Sequence, residues 1–190
     1  MIYIEDRGDI FFFQKRIGKN GAVFNLIKFR SMVSGAETAG TGLYSYQGDS
    51  RITKVGQFIR KTSLDELPQV FNVIRGEMSI VGPRPPVTYE LGPWDEYTSE
   101  MLKRFTVNPG ITGLAQISGR NENDWDLKIK FDNQYVDLWL KKGVFIDLKI
   151  LLKTLAVVLV GGNTIESASK DEGPISRKAR FAAEKYMQKK

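Results

Sequence analysis

Two stretches near the start of the chain are dense in aromatic and branched residues: 10–17 (IFFFQKRI) and 22–30 (AVFNLIKFR). Gly18-Lys19-Asn20-Gly21 separates them, which predicts a β-hairpin closed by a short Gly/Asn turn. Residues 34–50 are rich in Gly, Ser and Thr and read as an exposed loop. From there the apolar spacing turns helical. Residues 52–61 form a short basic helix with Val55, Phe58 and Ile59 on one face, and Leu64, Leu67, Phe71 and Ile74 give the next helix its apolar stripe, ended at Arg75-Gly76. Residues 82–86 (GPRPP) can be neither helix nor central strand, since proline fixes φ and removes donors. Helices are expected over 94–105, 126–141 and 144–160, with turns at Asn108-Pro109-Gly110, Gly113 and 118–121. Residues 161–173 read as a linker and 175–190 as a basic, solvated helical tail. The fold class is therefore α+β: a mainly helical single domain with a small hairpin component. No βαβ alternation supports a large parallel sheet.

Residues 144–160 (VFIDLKILLKTLAVVLV) are too short, and too charged at Asp147, Lys149 and Lys153, to span a bilayer. The plain expectation is a buried amphipathic helix, and the sharper one is a helix lying on a membrane surface. Trp94, Trp125, Trp139 and Tyr135 carry the same pair of readings, core or headgroup depth.

The 28 Lys+Arg against 22 Asp+Glu give a net charge of +6, which favours anionic partners. The positive charge is dispersed and no nucleic-acid module is present, so nucleic acid is not an expected partner. Two absences narrow the chemistry. Without Cys there are no disulfides, thiol nucleophiles or thiolate metal sites, and without His there is no imidazole base. Acid–base or covalent work falls to Asp, Glu, Lys, Tyr, Ser or Thr. A divalent metal would sit on oxygen ligands, which suits Mg²⁺, with Mn²⁺ as the alternative.

The candidate chemistry lies at 63–66. Ser63-x-x-Glu66 fits a helix capping box, a structural role. Pro68 conflicts with an ordinary helix from Ser63, because it would strip the Leu64 carbonyl of its partner. Either the helix begins near Asp65 or it is distorted there. Both cases place Asp65 near free backbone N–H groups, where carboxylates stay ionised and phosphates bind. An ionised Asp65 can attack phosphorus, Glu66 can hold a metal, and Arg60 and Arg84 can clamp phosphate oxygens. Asp124-Trp125-Asp126 offers a rival D-x-D metal site of the kind used in ordinary glycosyl transfer, against a plain solvated-loop reading.

An ordered series of motifs is more specific than any of these. It runs through QKRIG (14–18), KFRSM (28–32), RKTSLDE (60–66), LPQ (67–69), FNV (71–73), GEMS (76–79), VGPRP (81–85), PGITG (109–113), AQ (115–116), GRN (119–121), YV (135–136) and DLKI (147–150). Taken together, the series resembles the bacterial sugar transferase family, the monotopic phosphoglycosyl transferases. The resemblance implies transfer of a sugar-1-phosphate from a UDP-sugar to undecaprenyl (polyprenyl) phosphate, with release of UMP and use of Mg²⁺. It implies Asp65 as a nucleophile that carries the phosphosugar, with Glu66 helping to bind metal. Arg60 and Arg84 become phosphate ligands, while Lys28, Arg120, Asn121 and Asp147 are further candidates with structural roles as alternatives. It also implies residence at the cytoplasmic face of the bacterial inner membrane, and a catalytic domain over 1–160 followed by a linker and basic tail over 161–190. Family members normally carry an apolar segment just ahead of the hairpin. This sequence starts almost at the hairpin, so the expectation is a chain lacking that anchor, peripheral or soluble, and in the extreme an inactive scaffold.

Overall fold

The computed structural model describes residues 1–38, 45, 48–118, 124–160 and 173–187. Its first element is a short helix, α1 (Ile2–Asp6), followed by the hairpin of β1 (Phe11–Ile17) and β2 (Val23–Phe29). The strands pair antiparallel from Phe11↔Phe29 to Ile17↔Val23. Asn20 and Gly21 both take left-handed backbone at the turn, with φ of 54° and 81°, so the Gly/Asn expectation holds for the reason that predicted it. Phe24 and Leu26 of β2 pack on Met78, while Phe13 and Val23 face outward.

Helix α2 (Lys54–Lys61) is capped by Thr53, whose side chain accepts from Gly56 N at 2.9 Å. Glu5 also accepts from Lys54 N and Val55 N at 2.7 and 3.0 Å, an anion at a helix N-terminus. Of the predicted face, Ile59 is buried but Phe58 is exposed. Ser63 then takes φ 58° and turns the chain. A 3₁₀ segment, Leu64–Gln69, comes next and leads into α3 (Val70–Ile74). Of the two alternatives at this point, a helix beginning near Asp65 or one distorted there, the distorted one is found. The capping box is not: Ser63 makes no side-chain cap bond, while its carbonyl accepts from Glu66 N at 3.2 Å.

The apolar stripe also faces the opposite way from expectation. Leu64, Leu67, Phe71 and Ile74 are exposed, whereas Asp65, Pro68, Gln69 and Asn72 are buried. The inward face is polar because it docks on β2 through hydrogen bonds. Asn72 accepts from Ile27 N at 3.1 Å and donates to Asn25 O at 2.8 Å and to Glu77 Oε2 at 2.7 Å.

Strand β3 (Ser79–Val81) pairs in parallel with β4 (Gly110–Thr112), a two-stranded unit too short to have been expected. Gly82, Gly110 and Gly113 let these backbones nearly touch. A Cβ on Gly110 would lie 2.1 Å from Gly82 N, and one on Gly113 would lie 2.1 Å from Gly82 O. The expected helix over 94–105 is broken into a 3₁₀ turn (Trp94–Glu96), α4 (Ser99–Lys103) and a second 3₁₀ turn (Arg104–Thr106). Helix α5 (Leu114–Ile117) follows β4.

Helices α6 (Trp125–Lys142) and α7 (Val144–Val160) are as predicted within two residues. Ile129, Tyr135 and Val136 of α6, and Ile146 and Ile150 of α7, enter the core. Trp125 and Tyr135 are core side chains, which removes them from headgroup depth; Trp94 and Trp139 stay partly exposed. The expected solvated tail is α8 (Pro174–Met187), and it packs instead. Ala179 and Ala183 are buried, Ser176 Oγ accepts from Trp125 N at 2.8 Å, and Tyr186 stacks on Tyr89 with ring centroids 3.7 Å apart. Its charged residues masked a small-residue face that fits α6. No helix among the described residues is long and apolar enough to cross a membrane.

Asn72→Ala removes one acceptor and two donor bonds from a fully buried site and leaves Ile27 N and Asn25 O unpaired. It is expected to destabilise the fold by about 2–4 kcal/mol, measured by urea denaturation with unchanged m-value.

Candidate active site

A cavity of about 920 Å³ opens between the hairpin, the 3₁₀ segment, α5 and α6. Lys28, Arg60, Asp65, Glu66 and Arg84 all line it. Three separate parts of the chain therefore converge: β2 brings Lys28, the bent segment brings the acidic pair, and the proline turn brings Arg84.

Glu66 is the hub of this convergence. Its Oε1 accepts from Lys28 Nζ at 3.0 Å and from Arg84 Nη2 at 2.9 Å. Burial works against ionising Glu66, but Arg84, Lys28 and their hydrogen bonds outweigh it and hold the carboxyl well below the usual range. Burial also lowers the Lys28 ammonium from its ordinary value, against the pull of Glu66. Asp65 differs from its neighbour. Burial raises its carboxyl; Lys28, Arg60 and Arg84 oppose the shift and Glu66 adds to it, with a net upward result. Two adjacent acids thus have opposite characters, one clamped and ionised, the other desolvated and less paired.

The proline turn is positioned through its carbonyls, because proline supplies no donors. Arg104 Nη2 donates to Arg84 O at 2.5 Å, Arg16 Nη1 donates to Pro85 O at 2.8 Å, and Ile17 N donates to Pro86 O at 3.0 Å. Three consecutive carbonyls are gripped, which aims the Arg84 side chain at Glu66. Arg60 faces the same cavity and donates to Ser45 Oγ at 2.8 Å.

The other sequence candidates separate from this group. Asp147 accepts from Tyr135 OH at 2.9 Å and ties α7 to α6, outside the cavity lining; burial raises its carboxyl. Arg120 and Asn121 lie outside the described residues. The D-x-D pair is structural. Asp124 caps α6 by accepting from Leu127 N at 2.8 Å, and Asp126 accepts from Ser176 N at 3.0 Å and Ser176 Oγ at 2.7 Å. Sequence reasoning missed Arg104, Asp132 and Gln116 as cavity residues, and Arg16 as the turn's second anchor. Arg16 and Gln116 sit within the motif series, but nothing in the spacing separates their roles from those of neighbours. Arg104 and Asp132 have no such signal: each is a charge in a polar-looking helical stretch that turns out to be buried.

As a metal site, Asp65 and Glu66 supply oxygen donors on adjacent residues. Among the described residues no cluster of three or more acids occurs. Mg²⁺ is commonly held by one or two carboxylates, with substrate phosphates and water completing the shell, so the pair fits that ion.

Asp65 and Glu66 thus line the cavity together with Lys28, Arg60 and Arg84, and cationic side chains in such a setting can meet the oxygens of a phosphorylated ligand. Residues 1–161 match the bacterial sugar transferase family, and the chain belongs to it. It is 47% identical over 168 residues to the galactosyl transferase CpsE of Streptococcus agalactiae serotype III, covering 83% of this chain and 36% of that protein. It is 42% identical over 178 residues to the undecaprenyl-phosphate galactose phosphotransferase of Salmonella typhimurium, covering 84% and 36%. With the exopolysaccharide production protein ExoY of Rhizobium meliloti it shares 40% identity over 172 residues, covering 83% and 74%. The chain spans about a third of the length of several of these relatives.

Asp65→Asn separates the two acids in a stability measurement. A carboxyl whose folded-state pKa is raised destabilises the fold as pH rises from its unfolded to its folded pKa, and the cost persists above. The expected melting temperature of the variant is therefore at least that of wild type at pH 8, with the gap closing as the pH is lowered toward 4. A variant clearly less stable at pH 8 would contradict the assignment of Asp65 as a desolvated, weakly paired acid.

Proposed function

We propose that this chain transfers a sugar-1-phosphate from a UDP-sugar to a polyprenyl phosphate and releases UMP. The observation that carries the reading is the contrast within the acidic pair: a desolvated Asp65 beside a Glu66 clamped by Lys28 and Arg84, all lining one cavity. The names of relatives support the substrate classes. One is a UDP-galactose-lipid carrier transferase of Erwinia amylovora, and another a UDP-N-acetylgalactosamine-undecaprenyl-phosphate N-acetylgalactosaminephosphotransferase of Aeromonas hydrophila.

In this reading an Asp65 oxygen attacks the β-phosphorus of the donor. The bond to the bridging oxygen breaks, UMP departs with that oxygen, and the phosphosugar stays on Asp65 as an acyl phosphate. A lipid phosphate oxygen then attacks the same phosphorus and frees the Asp65 carboxylate. Lys28, Arg60 and Arg84 steady the phosphate oxygens, and one cavity serves both displacements. Asp65 and Glu66 would hold Mg²⁺, which supplies charge neutralisation at those oxygens when bound.

The outward apolar ridge of Leu64, Leu67, Phe71 and Ile74 flanks the acidic pair in sequence, and α7 exposes Phe145, Leu148, Leu152 and Leu155. We read these as surfaces that rest at a membrane interface on its cytoplasmic side, near a lipid-borne acceptor. The D-x-D geometry gives ordinary glycosyl transfer no metal site of its own.

The test combines the chain, Mg²⁺, a panel of UDP-sugars and undecaprenyl phosphate, and reads UMP, lipid product and intact mass. A phosphosugar-sized mass gain with UMP release is expected, and Asp65→Asn should lower turnover about 10³-fold or more. Release of UDP would overturn the mechanism in favour of glycosyl transfer, and absence of both products would favour a scaffold. Independently, Leu67→Asp with Phe71→Asp should lower co-flotation with anionic phospholipid vesicles at least about tenfold without shifting the melting temperature downward.

A further inference from the structure

Helix α8 reaches the site through a continuous set of side-chain contacts. It lies beyond residues 1–161, the span matched to the family. Its last turn stacks the Tyr186 ring on Tyr89, with centroids 3.7 Å apart and planes within 4° of parallel. Tyr89 OH donates to Glu37 Oε1 at 2.6 Å, and Gln14 Nε2 donates to the same oxygen at 2.9 Å. The other end of the Gln14 carboxamide, Oε1, accepts from Arg16 Nη2. Arg16 Nη1 in turn donates at 2.8 Å to Pro85 O, in the residue that follows Arg84. Arg84 then meets Glu66 at 2.9 Å. Gln14, Arg16, Glu37, Arg84 and Pro85 all line the cavity.

The chemistry of each link shows what the set does. Burial, and after it the bond to Glu37, push the Tyr89 phenol well above its ordinary value, so it stays a donor at working pH. Gln14 is buried and stands between an acid and a guanidinium, its donor end on Glu37 and its acceptor end on Arg16. A carboxylate is a stronger acceptor for a guanidinium than a backbone carbonyl is. Glu37 must therefore be held in place if Arg16 is to stay on Pro85 O. Tyr89 does that holding, and the stacked Tyr186 ring fixes the plane of Tyr89. Backbone bonds from Ile17 N to Pro86 O at 3.0 Å and from Thr88 N to Lys15 O at 3.4 Å run this segment along β1 and bring Tyr89 to Glu37.

We propose that Tyr89 and Tyr186 are positioning residues for the Arg84 phosphate clamp, acting through Glu37, Gln14 and Arg16, and that α8 is thereby part of the site. The inference rests on the reading above that Arg84 steadies phosphate oxygens.

The experiment is calorimetric titration of the full chain with inorganic pyrophosphate in the presence of Mg²⁺, alongside thermal melts and NMR spectra of the arginine Nε–Hε groups. The variants are Tyr89→Phe, Tyr186→Phe, Tyr186→Leu, Arg84→Ala and the Tyr89→Phe, Arg84→Ala double. Tyr89→Phe removes the hydroxyl and keeps the stack. It should weaken pyrophosphate binding about fivefold or more and shift or broaden the Arg16 and Arg84 signals. Tyr186→Phe keeps the ring and should stay within about twofold of wild type, while Tyr186→Leu should match Tyr89→Phe. In the Arg84→Ala background, where Lys28 and Arg60 remain, Tyr89→Phe should add less than about twofold, because its effect runs through Arg84. A merely structural tyrosine would instead lower the melting temperature and add its full loss in that background, which would overturn the proposal. Unchanged binding and unmoved Arg84 signals in Tyr89→Phe would also overturn it, and wild-type behaviour of Tyr186→Leu would overturn the part assigned to α8. Pyrophosphate binding by wild type with no change in the variants sinks this inference alone. A wild-type chain that binds no pyrophosphate sinks the phosphate-clamp reading and the inference with it.

Discussion

The oxygen that Glu66 shares between Lys28 and Arg84 is the junction on which the site depends. The three residues come from a strand, a bent 3₁₀ segment and a proline turn, 38 and 18 positions apart along the chain. Most of the remaining structure acts to bring these pieces to one place. Asn72 docks the bent segment on β2 beside Lys28. Arg104, Arg16 and Ile17 hold the proline turn by its carbonyls. Three glycines allow β3 and β4 to approach closely enough to set the turn's origin. A half-buried ion pair of this kind is weak evidence for stability by itself. Its value here is orientation: it gives Glu66 a fixed charge and leaves Asp65, one residue away, desolvated.

The second organising feature is the inverted polarity of residues 64–74. In a soluble helix the apolar stripe faces the core, because burial removes it from water. Here the core face is occupied by Asp65, Gln69 and Asn72, and Leu64, Leu67, Phe71 and Ile74 are left outside. The arrangement suits a site that must combine charged chemistry inside with an apolar environment outside. It also explains why hydrophobic spacing detected the segment and misassigned its direction: periodicity reports a face, not what that face meets.

Other departures have related causes. The capping box at Ser63 satisfied a local pattern, but Glu66 had two cations within reach, and charge-assisted bonds displaced a backbone contact. The tail after residue 173 looked solvated because its charges dominate the composition, while Ala179, Ala183 and Ser176 are small enough to lie flat on α6. The parallel pair β3–β4 consists of three-residue strands, below the length at which alternation is readable. Asp124 and Asp126 matched a metal pattern and instead hold the ends of α6 and α8.

By itself the sequence determined the hairpin and its Asn-Gly turn, the two long C-terminal helices, the absence of thiol and imidazole chemistry, and the acidic pair with its arginines. These are local properties: turn conformation, apolar period and residue chemistry need no knowledge of distant neighbours. Tertiary structure alone decided which cation meets which acid, that Asp65 is desolvated while Glu66 stays ionised, that the 64–74 ridge faces outward, and that Arg104, Asp132 and Gln116 share a cavity with the pair. Those outcomes depend on desolvation and on contacts between residues far apart in the chain, and both come into existence only when the elements pack.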